Sequence, residues 1–219
     1  MHESVKNFII VKKNIISTLN QSDNRSEPKI IAVSKTFPLE KISPLINYGH
    51  THFGENKVQE AIEKWTEIKS INKNIKLHLI GKLQSNKVKH AVKIFDYIHS
   101  VDNEKLAKKI SDETTRLKNK VKIFIQVNIG KENQKSGINV DNLENFYQFC
   151  ISIGLNVVGI MCIPPIDKNP EKYFIEMKIL KDKLKLNELS MGMSDDYLEA
   201  IKYSATYVRI GSSIFGRRN

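Results

Sequence analysis

Sulfur and long apolar runs are both scarce in this chain. Its two cysteines, Cys150 and Cys162, form no CxxC pair and lie in apolar surroundings, so neither a disulfide framework nor a cysteine-built zinc site is expected. Both are read as buried small side chains. The longest apolar stretches, FIIV (8–11) and VVGIMCIPP (157–165), fall far short of the roughly 20 residues a membrane span needs, so no membrane partner is expected. The segment MHESVKNFIIVKKNIISTLN lacks a long apolar h-region and a small-residue cleavage site, and it carries an acidic residue. It reads as part of the fold of a cytoplasmic protein, not as a secretion signal or transit peptide. Acidic residues are outnumbered, 24 against 35 Lys and Arg, for a formal charge of +11. The lysines are nevertheless scattered between apolar residues, and the aromatics do not cluster with them as a base-stacking platform would require. A solvated basic surface is expected in place of a nucleic-acid interface, and it suits anionic small molecules.

With 219 residues and 40% hydrophobic content, the chain can bury a sizeable core. Val5, Phe8, Ile9, Ile15, Ile16 and Leu19 recur at helical spacing, which predicts an amphipathic helix over 5–19. After a polar turn the sequence settles into one rhythm: a short apolar run, a polar end, then a lysine-rich helical pattern. Strands are predicted near 29–34, 49–53, 76–80, 97–101, 121–128, 156–162, 187–191 and 206–210, with helices over 56–69, 84–95, 103–118, 139–153 and 169–184. Strands alternating with helices imply right-handed parallel crossovers. The expected fold is a single-domain α/β (β/α)8 TIM barrel over residues 1–219, a doubly wound open sheet being the alternative. No linker or low-complexity segment marks a domain boundary.

The first strand, KIIAVSK, ends on Lys35. In such barrels reactive groups gather at the C-terminal ends of the strands, and alternation puts Ile31, Val33 and Lys35 on one face, taken as the interior. An amine held there is partly desolvated and becomes a better nucleophile toward an aldehyde; a lysine snorkelling to solvent is the plain alternative. The last strand, YVRIGSSIFG (207–216), places Arg209 just before a Gly-Ser-Ser turn, and LSMGMSDD (189–196) offers Gly192 and Ser194. Backbone N–H groups beside small hydroxyl residues suit a phosphate, and the loops after strands seven and eight are where such barrels hold one. Lysine and phosphate turns together point to a phosphate-bearing carbonyl compound, of which pyridoxal 5′-phosphate (PLP) is the obvious example.

The ordered motifs AVSKTFP (32–38), HFGENKVQE (52–60), LHLIGKLQSNK (77–87), IHSVD (98–102), QVNIGKENQKSGI (126–138), GIMCIPP (159–165), LSMGMSDDYLEAI (189–201) and VRIGSSIFGRR (208–218) resemble those of the pyridoxal phosphate homeostasis protein family, also called the proline synthase co-transcribed family. The resemblance covers nearly the whole chain. It implies a single barrel like the N-terminal domain of alanine racemase, with PLP held as a Schiff base on Lys35. It further implies that Ser194, Gly211 and Ser212, with the backbone at Met193, hold the phosphate, that Arg209 faces the pyridine nitrogen, and that Asn56 lines the pocket near the ring. Ser204 and Ala205, in KYSATYVRIG, depart from the family pattern in the turn before the last strand.

A guanidinium stays protonated and has only donors, so facing the pyridine nitrogen it favours an unprotonated ring, a poorer electron sink. In alanine racemases a tyrosine from a second domain of the partner subunit supplies the opposing acid/base, and no such domain is expected here. The resemblance therefore implies a PLP carrier acting in cofactor homeostasis, a monomer that buffers PLP or delivers it to apo-enzymes, with racemase activity absent or slight. Lys135, in QKSG, matches a family lysine and is a candidate transient acceptor of PLP. His50 and His52 alternate along a predicted strand without a carboxylate or cysteine at ligand spacing, so no metal is expected. His78 and His99 are read as satisfied barrel residues, Trp65 as core, and Arg217 and Arg218 as either solvated or near an anion at the mouth. Two other classes remain open: a Schiff-base barrel enzyme such as a racemase or an aldolase acting on a phosphorylated sugar, and a nucleic-acid-binding protein using the basic surface.

Overall fold

The structure, a computed structural model, describes residues 1–21, 26–132, 134–166 and 169–216. Eight parallel strands run in sequence order around a closed barrel: β1 Lys29–Val33, β2 His52–Glu55, β3 Lys76–Leu79, β4 Tyr97–Val101, β5 Lys122–Val127, β6 Asn156–Cys162, β7 Glu188–Met193 and β8 Tyr207–Ile210. The helices are α1 Glu3–Asn20, α2 Leu39–Asn47, α3 Val58–Ile71, α4 Val88–Ile94, α5 Glu104–Leu117, α6 Leu143–Ser152, α7 Glu171–Lys183, α8 Tyr197–Lys202 and α9 Ser212–Phe215. The barrel expectation holds, and the open sheet is ruled out because β8 returns to β1 from Lys29↔Tyr207 to Ala32↔Ile210. Among the described residues no helix is long and apolar enough to cross a membrane.

Two layers of apolar packing follow from strand alternation. Outward-facing Ile30, Ala32, Phe53, Leu77, Ile98, Ile123 and Leu189 join the helices in one large core. Inward-facing Ile31, Tyr97, Phe124, Met161 and Tyr207 form a second cluster inside the barrel. Trp65 of α3 is fully buried and packs on Phe53 at 4.8 Å between ring centroids, as expected for a core residue.

The second strand begins later than the sequence suggests, at His52 where 49–53 was expected. Gly49 takes φ 96, and the N–H groups of Gly49 and His50 bond back to Ile46 and Leu45, so these residues cap α2. That helix, interrupted in sequence by Pro44, escaped the periodicity reading. In consequence His50 and His52 do not share a strand face. His50 sits in the capping turn between Phe8, 4.7 Å away, and Phe53, 5.1 Å away, while His52 enters the barrel.

The turn carrying the family departure forms intact. Ser204 adopts φ 64 as α8 ends, its N–H bonding Ile201 at 3.1 Å and that of Ala205 bonding Ala200 at 3.3 Å. The turn feeds the N-terminal end of β8 and so lies at the opposite end of the barrel from the strand C-termini. A left-handed serine costs about 1 kcal/mol that glycine does not, so Ser204→Gly is expected to stabilise the protein by that amount in urea unfolding.

Three histidines lie inside the barrel in series. Burial lowers the pKa of His52 to about 4 and those of His78 and His99 well below the usual value; burial also lowers His50 to about 4. The unfolded chain binds protons near pH 6.5 that the folded chain refuses, so stability is full above that pH and declines as pH falls toward 4. The melting temperature is expected to drop over this window; a flat profile from pH 6.5 to 4.5 would contradict the neutral assignment.

Candidate functional site

At the C-terminal ends of the strands lies a cavity of about 560 Å³. Lys35 after β1, Asn56 after β2, Met193 and Ser194 at the end of β7, Arg209 in β8, and Gly211 and Ser212 after β8 all line it. Chain closure brings together the seven residues that the family resemblance implies for the cofactor, spread over some 180 positions.

Lys35 is held by what surrounds its neighbours. It is half-buried and lies one residue beyond the fully buried Ser34, whose hydroxyl donates to Glu55 Oε1 at 2.8 Å. Glu55 Oε1 also accepts from Trp65 Nε1 at 2.9 Å and Lys64 Nζ at 3.0 Å. Lys64 reaches the Ser34 carbonyl at 3.0 Å and Glu60 Oε1 at 3.0 Å, and Glu60 takes the N–H of Thr36 at 2.6 Å. Thr36 itself sits at φ 67. The residues on both sides of Lys35 are thus tied to β2 and α3. Sequence reasoning missed Glu55, Glu60, Lys64 and Trp65 as a unit. The available signal was a carboxylate ending an otherwise buried strand, in HFGE, followed by KW on the next helix.

Burial raises the pKa of Glu55, opposed by the Trp65, Lys64 and Ser34 contacts. Its Oε2 has no hydrogen-bond partner. Asn56, next along, enters the wall because Gly81 has no Cβ: one built there would lie 2.4 Å from the Asn56 carbonyl oxygen.

The deep side of the cavity is a buried cation. Arg209 is 4% exposed; its guanidinium donates to Ser190 Oγ through Nη1 at 2.8 Å and to the Cys162 carbonyl through Nη2 at 2.8 Å. Among the described residues no carboxylate pairs with it at ion-pair distance. Burial lowers its pKa, with Asp196 acting the other way. A guanidinium nonetheless remains protonated and only donates.

Beside Arg209 the wall is made of turn backbone, Met193 being its register partner. Gly192 takes φ 88, and a Cβ there would meet Ala200 Cβ at 2.7 Å; the register shifts between Ser190 and Met193, which turns Ser194 toward β8. The Gly211 N–H donates to Ser194 Oγ at 3.3 Å, joining the two loops. The Met193 N–H is taken by Asp196 Oδ1 at 2.6 Å, so the amide expected to hold phosphate is committed to a carboxylate here. Asp195 also borders the cavity.

The residues fit an aldehyde-bearing aromatic phosphate. A half-buried amine, a buried donor with neutral partners and a hydroxyl-lined double turn share one cavity, and the barrel below it is closed by packed rings. Elsewhere, Lys135 does not line the cavity; it pairs with Glu132 at 2.5 Å and reaches the Pro164 carbonyl at 3.4 Å. Cys150 and Cys162 are free and buried, with thiol pKa values pushed up by burial to about 12. No metal-holding cluster occurs among the described residues. Arg217 and Arg218 lie outside the described residues.

Comparison with known proteins gives a consistent result. The family model for the alanine racemase N-terminal domain matches residues 11–219. Curated relatives named pyridoxal phosphate homeostasis protein include one from Aquifex aeolicus, 38% identical over 200 residues and covering 87% of each chain. Another, from Haemophilus influenzae, is 37% identical over 223 residues, 93% of this chain and 92% of its own. Among solved structures, PipY of Synechococcus elongatus with PLP bound is 34% identical, with a TM-score of 0.78 over 94% of this chain and all of its own. An alanine racemase from Clostridium difficile, 16% identical, shares the fold at a TM-score of 0.74 and is spanned over 57% of its length.

Removing the clamp tests its part in holding the Lys35 turn. Glu55→Ala leaves the buried Trp65 N–H without its acceptor and takes one of two carboxylates from Lys64, which keeps Glu60, so it is expected to cost about 2 kcal/mol in urea unfolding. Glu55→Gln, which keeps an acceptor, is expected to cost clearly less.

Proposed function

The chain belongs to the alanine racemase N-terminal domain family, and we propose that within it this protein holds pyridoxal 5′-phosphate at the barrel mouth as a cofactor-homeostasis protein. It acts as a monomer in the cytoplasm, buffering PLP and releasing it to apo-enzymes. The observation that carries this reading is the convergence of Lys35, Asn56, Arg209, Ser194, Gly211 and Ser212 on one cavity. Relatives bearing the homeostasis name over most of their length, and a PLP-bound neighbour of the same size, support it.

When bound, PLP supplies an aldehyde that condenses with amines and a ring that withdraws electrons. Each protein group then has a defined task. Lys35, fixed by the Glu55 clamp, offers the amine that anchors the cofactor. Ser194, Ser212 and the Gly211 turn would hold the phosphate, and Asn56 would flank the ring. Arg209 would face the ring nitrogen as a donor and so would favour its unprotonated form, a poorer electron sink. Among the described residues the lining holds no tyrosine, histidine or cysteine, and Asp195 is its one carboxylate, so the second acid/base that racemisation requires is limited to that side chain. Both features favour a carrier over a catalyst.

The deciding experiment compares absorbance spectra of wild type and Lys35→Ala after PLP addition and borohydride reduction. Wild type is expected to develop a band near about 420 nm, characteristic of the cofactor linked to an amine, and reduction should fix the cofactor to Lys35 alone. Colourless wild type, or equal trapping by Lys35→Ala, would overturn the assignment in favour of a barrel enzyme acting on a phosphorylated sugar.

A further inference from the structure

Below the cavity, four polar side chains occupy the barrel interior without lining it: His52 of β2, His78 of β3, His99 of β4 and Ser190 of β7. They are joined end to end. His52 Nδ1 lies 2.9 Å from His78 Nε2, His78 Nδ1 lies 3.0 Å from His99 Nε2, and His99 Nδ1 lies 3.1 Å from Ser190 Oγ. Ser190 Oγ in turn accepts from Arg209 Nη1 at 2.8 Å. Stacking holds the rings in place: His78 lies on Tyr97 at 4.3 Å and 9°, and His99 on Phe124 at 4.2 Å and 15°.

The series has only two self-consistent proton arrangements. Burial keeps each ring neutral, and a neutral imidazole carries one N–H and one acceptor nitrogen. The proton on one ring therefore dictates the next. If His78 is protonated on Nδ1, donation runs from His52 through His78 and His99 to Ser190. Ser190 Oγ would then receive N–H groups from both His99 and Arg209, and its own proton would find no acceptor among the described residues. If His78 is protonated on Nε2, donation runs the other way: Arg209 to Ser190, Ser190 to His99, His99 to His78, and His78 to His52. Every contact is then used once, which matters because an unmade buried hydrogen bond costs about 1–3 kcal/mol.

We infer that Ser190, His99, His78 and His52 form a one-way hydrogen-bond relay, all three rings in the Nε2–H form, whose task is to position Arg209. This rests on the reading that Arg209 faces the cofactor ring. A serine oxygen that gives its proton away is a stronger acceptor, and the effect accumulates along a chain of such bonds. Ser190 thereby helps keep a guanidinium charged where burial opposes it, and fixes which of its N–H groups remain for the cavity. The relay residues are positioning groups: none lines the cavity, and the chain ends at half-buried His52 at the N-terminal end of the barrel.

The first test is nitrogen NMR of ¹⁵N-histidine-labelled protein, without cofactor, at neutral pH. Pyridine-like Nδ1 and pyrrole-like Nε2 signals are expected for all three rings; an Nδ1–H or doubly protonated ring among them overturns the relay. The second is PLP affinity by absorbance titration. His78→Leu is expected to weaken binding about 10-fold, and His78→Gln, which restores a donor and an acceptor, to stay within about twofold of wild type. Affinity for His78→Leu equal to wild type, or equal losses in both variants, overturns the positioning role. Should His78→Leu fail to fold, Ser190→Ala takes its place with the same expected loss. If wild type binds no PLP, the functional reading falls, and the tautomers of the cofactor-free protein still decide the relay.

Discussion

The pairing of β8 with β1 is the constraint on which the site depends. It places Arg209 opposite Ile31 and Ile210 opposite Ala32, so the segments that continue past each strand emerge side by side. Lys35 leaves one and the Gly211–Ser212 turn leaves the other. An amine and a glycine-serine turn far apart in sequence become two walls of one cavity because a parallel barrel has no free edge and its last strand has only one partner left. The site is a product of closure, in keeping with barrels whose chemistry sits at the strand C-termini.

Closure also buries polar groups, and the interior meets that cost through connected hydrogen bonds. On the outer surface of the barrel, Glu55 gathers Ser34, Lys64 and Trp65 and immobilises the turn that presents Lys35. Inside, three neutral imidazoles and a serine fill what would be a purely apolar plug in a simpler barrel. These networks act on different walls of the cavity: one borders the Lys35 amine, the other the Arg209 guanidinium. Neither Glu55 nor the histidines line the cavity, yet its geometry rests on them.

Much of this was legible in the sequence, and the omissions have physical causes. The alternation of apolar runs and helical patterns yields all eight strands, because buried parallel strands are continuous apolar segments. β2 was placed too early because Gly49 and His50 close a helix through tertiary-stabilised capping bonds, while YGHTHF reads as strand by alternation. α2 was missed because Pro44 obscures its periodicity, although a helix held by packing on both sides tolerates it. Lys35 and Arg209 stood out as charges at the ends of apolar runs, and the glycine-serine turns as phosphate-suited backbone.

What the sequence by itself determined is the architecture, the family and which residues to look for at the cavity, since strand period, turn chemistry and ordered motifs are local properties. Tertiary structure alone decided the partnerships. Glu55 meeting Lys64 and Trp65 could be suspected from proximity along the chain, but the series from His52 through His78 and His99 to Ser190 and Arg209 draws one residue from each of five strands. Its members come into hydrogen-bond distance only because the barrel closes, and no linear pattern records which inward-facing side chains share a level inside it.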